Sequence, residues 1–259
     1  MYSLGIVGKR PNLILGYEKI TCNGNEGKQE YEPNVALKLI RKLKKVYGNG
    51  IDVIVGDAIY LNEKFIAGIK ENGYEAVIRL KENNKSLLKD AEGIFKLEKT
   101  VEWKEKRKVV NTNIHQVKTI KSWATNLMYK GYLVKVVKFE EKYKKGKEEK
   151  IDIIYVISTN LELRNQTINK IIHSRWDIEN NGFNELKNYW NMNHCYMADE
   201  KAIDVILQMI MMSFNLWEVY LYSHLHDFEK MKITKMGYIE EIREKMYRAS
   251  RDVLQFSSA

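Results

Sequence analysis

The chain is 259 residues long, 44% hydrophobic and 11% aromatic, enough apolar sequence for one large core or two modest ones and too much for a disordered segment. Forty-three Lys and Arg against thirty-four Asp and Glu leave a formal charge of +9, which favours a polyanionic partner such as nucleic acid or an anionic membrane. Only Cys22 and Cys195 occur, outside any CxxC spacing, so neither a disulfide framework nor a structural zinc site is indicated and a reducing cytoplasm fits.

In chain order, branched residues at 4–7 and 13–20 flank the turn chemistry of Lys9, Arg10, Pro11 and Asn12, predicting a hairpin rather than a signal peptide. Pro33 opens an amphipathic helix to about Val46 with Leu37, Ile40, Leu43 and Val46 as its seam. A buried strand over 51–55, a helix over 59–72 stopped by Gly73, a strand over Glu75–Leu80 and a helix over 86–95 follow. This alternation predicts an α/β fold with parallel pairing. Strand-like segments at 108–120, 132–140 and 151–157, with an exposed Lys-rich hairpin tip at 142–147, predict a β-rich insertion over about 101–158. Helical sequence then runs from Leu163 to Leu225, and an amphipathic helix over 233–255 closes the chain. The most apolar window, 202–222, carries Asp204, Gln208, Asn215 and Glu218 spread around it and reads as a buried core helix, not a membrane span.

Two acids stand out. Asp57 follows Val53, Ile54, Val55 and Gly56, just past the carboxyl end of a buried strand, where open α/β sheets place ligands. Taken alone it reads first as a helix cap. Glu179 falls on the helical face of Ile172, Trp176, Phe183, Leu186 and Trp190, all apolar but itself. A carboxylate aimed at a core needs a partner, a proton or a cation, and an ion pair with Arg175 one turn earlier is the plain structural alternative. Two such acids suggest a site for Mg²⁺ or Mn²⁺, which prefer hard oxygen ligands. Arg175 and Lys187 on the same helix, and Lys81 at the end of Glu75–Leu80, are candidates to hold a phosphate backbone. The five His residues show no convincing ligand spacing, and no GxGxxG, GxxxxGK[ST] or GxSxG occurs.

Val55-Gly56-Asp57-Ala58-Ile59-Tyr60, Arg79-Leu80-Lys81-Glu82-Asn83-Asn84 and above all Arg175-Trp176-Asp177-Ile178-Glu179-Asn180-Asn181 with Phe183, Leu186 and Lys187 resemble bacterial DDE transposases of the insertion sequence 4-like group, from Met1 to about Tyr222. The resemblance implies a ribonuclease-H-like mixed sheet flanked by helices, with a β-rich insertion and a helical C-terminal part. The domain would span 1–225 and a helical tail 226–259. It implies that Asp57 and Glu179 are the second and third acids of a metal-binding triad, that DNA is the partner, with no membrane involved, and it allows a homodimer on DNA. The family's last-helix signature, Y-x2-R-x3-E-x6-K, is met by Arg175 and Glu179, whereas Ile172 stands for the tyrosine and Lys187 comes one residue late. The first Asp of the chain is Asp52, so the resemblance further implies that the opening strand with the first acid is missing and that catalysis is impaired. An inactive DNA-binding remnant and a ribonuclease-H-like nuclease are the alternative readings.

Overall fold

The computed structural model describes residues 2–5, 11–20, 22–23, 28–29, 31–108, 115–145, 148–194, 196, 198–225, 228, 231 and 233–256. Two compact units result: Met1–Gly8 with Leu15–Asp177, and Lys9–Ile14 with Ile178–Ala259.

In the first unit β1 (Tyr2–Gly5) pairs with β2 (Ile14–Glu18) in a two-stranded sheet of its own; positions 9 and 10 of the expected turn lie outside the described residues. The short strands β3 (Cys22–Asn23) and β4 (Lys28–Gln29) pair antiparallel. Helix α1 (Glu32–Tyr47) starts at Pro33, as its fixed φ and missing N–H favour, and buries Leu37, Ile40 and Leu43. Val46, expected on the same seam, is exposed because the last turn of α1 runs past the core.

Strand β5 (Val53–Gly56) leads through a 3₁₀ turn, Ala58–Tyr60, into α2 (Glu63–Glu71). The predicted helix over 59–72 is thus two pieces, because the Asn62 side chain accepts a hydrogen bond from Phe65 N at 2.9 Å and starts a fresh helix. Gly73, at φ +72°, ends it in a conformation that glycine adopts without strain. Then come β6 (Glu75–Leu80), α3 (Lys85–Phe95), β7 (Val101–Lys108), β8 (His115–Tyr129), β9 (Tyr132–Lys145), β10 (Glu148–Ser158) and α4 (Asn165–Asp177). The strand expected over 108–120 is the end of β7 and the start of β8, with 109–114 outside the described residues.

Six strands form one mixed sheet in the order β5-β6-β10-β9-β8-β7. Only β5 and β6 run parallel, with Val53 opposite Glu75 and Gly56 opposite Ile78; β10 returns antiparallel beside β6, with Val156 opposite Arg79. The two-residue period of a strand sorts the core into two layers. Ala76, Ile78, Leu80, Val134, Val136 and Ile157 meet Leu37 and Ile40 of α1, Phe65, Ile66 and Ile69 of α2, and Leu87, Ala91 and Phe95 of α3. Val77, Val137, Phe139, Ile154 and Val156 face Ile168 and Ile172 of α4 on the other side. Helices on both faces of a mixed sheet are the α/β architecture expected.

The second unit opens with a wide π turn, Ile178–Phe183, followed by α5 (Asn184–Tyr189), α6 (Glu200–Val219, prolonged by a second π turn to His224) and α7 (Lys235–Phe256). Two of the polar residues of α6 are anchors. Ile14 N donates to Asn215 Oδ1 and Asn215 Nδ2 donates to Ile14 O, each at 2.8 Å. Glu218, without solvent exposure, accepts from Asn12 N at 3.1 Å and from Lys235, whose ammonium also reaches both oxygens of Glu185 at 2.8 and 2.9 Å. Glu200–His224 is long and apolar enough by composition to cross a membrane. It is not the buried core helix expected: Met211, Phe214, Glu218 and Leu221 are buried, while Val205, Met209, Met212 and Leu216 are more than half exposed.

Candidate functional site

Alternation along β5 places Val53 and Val55 on the α4 side of the sheet, and Asp57, just past the strand, continues that parity. Gly56 precedes it because a Cβ there would meet the Tyr60 ring at 3.0 Å. Asp57 Oδ1 accepts from Ala58 N at 2.8 Å, so the acid does cap the 3₁₀ turn. The parallel neighbour β6 ends at the same edge and presents Lys81, whose Nζ stands 3.6 Å from the same oxygen. Oδ2 makes neither contact.

Burial works against charge on Asp57, but the Ala58 amide and the cations Arg175, Lys81 and Arg79 outweigh it and hold the carboxyl below its ordinary range. Arg79 shares the strand parity of Lys81, and Arg175 comes from the last turn of α4. Three cations, Arg175, Lys81 and Arg79, act on one carboxylate at the strand ends, residue types that also hold phosphate oxygens. Beside it Arg79, Ile154, Ile172, His173, Arg175 and Trp176 line a small cleft. The Arg175 guanidinium lies 5.6 Å from the Trp176 ring, and the His173 ring meets that ring edge-on at 5.5 Å.

Glu141 was not singled out from the sequence. It has no solvent exposure, and both oxygens are engaged: Asn169 Nδ2 at 2.9 Å and His173 Nε2 at 2.6 Å on Oε1, Lys118 Nζ at 2.9 Å on Oε2. Burial raises its pKa, yet His173, Asn169 and Lys118 together bring it far below the ordinary glutamate value. The available signal was the alternation Val137, Phe139, Glu141, which puts this acid on the inward face of β9. Glu141 thereby ties β8 and β9 to α4, the helix that carries Arg175.

Of the sequence-predicted residues, Asp57, Lys81 and Arg175 come together in the first unit; Glu179 and Lys187 belong to the second. The inward orientation expected for Glu179 is corrected: the residue is exposed. The stripe assumed 3.6 residues per turn, and Ile178–Phe183 is a π turn, which breaks that phase.

A two-metal centre needs several converging oxygens. Among the described residues no group of three or more His, Cys, Asp or Glu is placed to hold a metal ion. Asp57, ionised and with Oδ2 outside both contacts, fits as one hard-oxygen ligand and does not complete a set.

Fold and site define an α/β domain of ribonuclease-H-like layout with a cationic site at its strand ends. The model of the transposase DDE domain family matches residues 10–216, and the chain belongs to that family. DNA is the substrate of such domains and a divalent metal their general requirement. No curated protein matches the chain.

Proposed function

We propose that the chain is an insertion-element transposase of the insertion sequence 4-like group, whose reaction hydrolyses a phosphodiester at the element end and joins the freed 3′-hydroxyl to target DNA in the cytoplasm, two copies acting on DNA. The observation that carries this reading is Asp57 at the end of β5 with Lys81, Arg79 and Arg175 around it. In this reading Asp57 and Glu179 hold Mg²⁺ or Mn²⁺, which would activate the nucleophile and offset charge at phosphorus. Arg175, Lys81 and Lys187 position the DNA backbone.

Catalysis in this chain is proposed to be impaired. One observation supports that reading: among the described residues β5, which leads to Asp57, is the edge of its sheet. Calorimetry with Mn²⁺ on the wild-type chain beside Glu179→Gln tests the metal role. Binding that Glu179→Gln abolishes is the expected result; binding untouched by Glu179→Gln and by Asp57→Ala removes both residues from the metal site. Strand transfer at the level of an intact family member would overturn the impairment. The three cations acting on Asp57 also favour a second reading, a DNA-binding protein without chemistry, which salt-sensitive DNA binding with no metal binding would select.

A further inference from the structure

Helix α6 is rich in large apolar residues, more than one buried face requires. Val205, Met209, Met212, Leu216 and Tyr220 are 41 to 65% exposed. Their spacing of four, three, four and four residues lines them up along one face of a helix about 30 Å long. Five such side chains lay out on the order of 500 Å² of contiguous surface, the scale at which a patch on a monomer marks an interaction site. Two such faces against each other remove about 1,000 Å² together, the threshold for specific association.

The charge pattern selects the occupant. From Val205 to Tyr220 the only Asp, Glu, Lys or Arg is Glu218, which is buried and ion-paired to Lys235. A chain of net charge +9 therefore presents one face that a polyanion cannot neutralise and that a second copy can meet without like-charge repulsion. The three-four spacing is the one that lets two helices interdigitate at a shallow crossing angle.

We propose that the Val205, Met209, Met212, Leu216 and Tyr220 face of α6 is the seam through which two copies of this chain pair. The inference rests on the two-copy part of the functional reading and gives it a surface. Met209 and Met212 are each 58% exposed in the single copy, so polar replacement at these two positions is expected to spare the monomer fold.

Light scattering after size exclusion, on the full chain without DNA, is expected to give a mass that rises with concentration toward twice the 30.5 kDa of one copy. The double variant Met209→Glu, Met212→Glu is expected to stay at one copy with unchanged circular dichroism. A wild-type chain that stays at one copy overturns the seam, as does a dimer that the double variant leaves intact, or a one-copy chain that floats with neutral phosphatidylcholine vesicles. Should the double variant lose helicity, hydrogen exchange on the wild type decides: exchange across Glu200–Val219 that slows with concentration supports pairing, and concentration-independent exchange overturns it. A chain that stays at one copy yet binds a labelled duplex with the salt dependence of phosphate contacts removes the seam and the two-copy part of the functional reading, and leaves its DNA-binding part standing.

Discussion

A carboxylate sealed from water survives only if its lone pairs are occupied and its charge is matched. Glu141 meets both conditions through Lys118, Asn169 and His173, at a point where two strands meet α4. Glu141→Gln keeps the shape and removes the charge, leaving the Lys118 ammonium beside a neutral amide. The expected loss is about 3 kcal/mol of folding stability, read from urea melts at neutral pH. The same residue sets an acid limit. Its folded-state pKa lies below the ordinary 4.5, so its contribution is complete above that value and fades as pH falls beneath it. Wild type is expected to lose stability below about pH 4.5 more steeply than Glu141→Gln, whose curve lacks this component. Parallel curves would mean that the ion pair contributes nothing to acid sensitivity.

At the scale of elements, two glycines separate close packing from mere helix weakening. A Cβ on Gly68 would stand 2.6 Å from Leu37 Cδ2, where α2 crosses α1, whereas one on Gly182 would meet Ile14 and Ile178 carbons at 3.6 and 3.7 Å. Gly68→Ala is expected to cost about 1–3 kcal/mol through overpacking. Gly182→Ala is expected to stabilise by about 0.5–1 kcal/mol, because alanine restricts the unfolded chain more. Thermal melts of the two variants should move in opposite directions; a shared direction would place the π turn or the α1–α2 crossing elsewhere.

The elements also show where sequence suffices. Strand β6 was legible to the residue, and Asp57 with Lys81 followed from two apolar runs ending in charged residues. Glu141 hid in the run Phe139-Glu140-Glu141-Lys142, which resembles a solvated strand end because the partners that bury it come from β8 and α4. The orientation of Glu179 was misread because a π turn has no signature in hydrophobic spacing. Helix α6 was misread because hydropathy reports how apolar a segment is and not which face is covered.

Net charge acts on the whole molecule, but only cations that touch phosphates release counterions, and that difference is measurable. Each phosphate contact contributes about 0.9 to the slope of log K against log salt on duplex DNA. If the cations around Asp57 hold the backbone, Lys81→Gln and Arg175→Gln each lower that slope by roughly one and weaken binding about equally on all sequences. Lys245 and Arg248 are the internal control: both are strongly exposed cations on α7, at 2.7 Å from Glu241 and 3.4 Å from Glu244 one turn earlier. Their replacement by Gln subtracts the same formal charge from α7 of the second unit and not from the strand-end site, and should leave the slope unchanged. Titration of a labelled duplex across a salt series distinguishes the cases. A slope that drops equally for all four variants would mean that DNA senses only the overall +9, and the strand-end site would lose its claim on the phosphates.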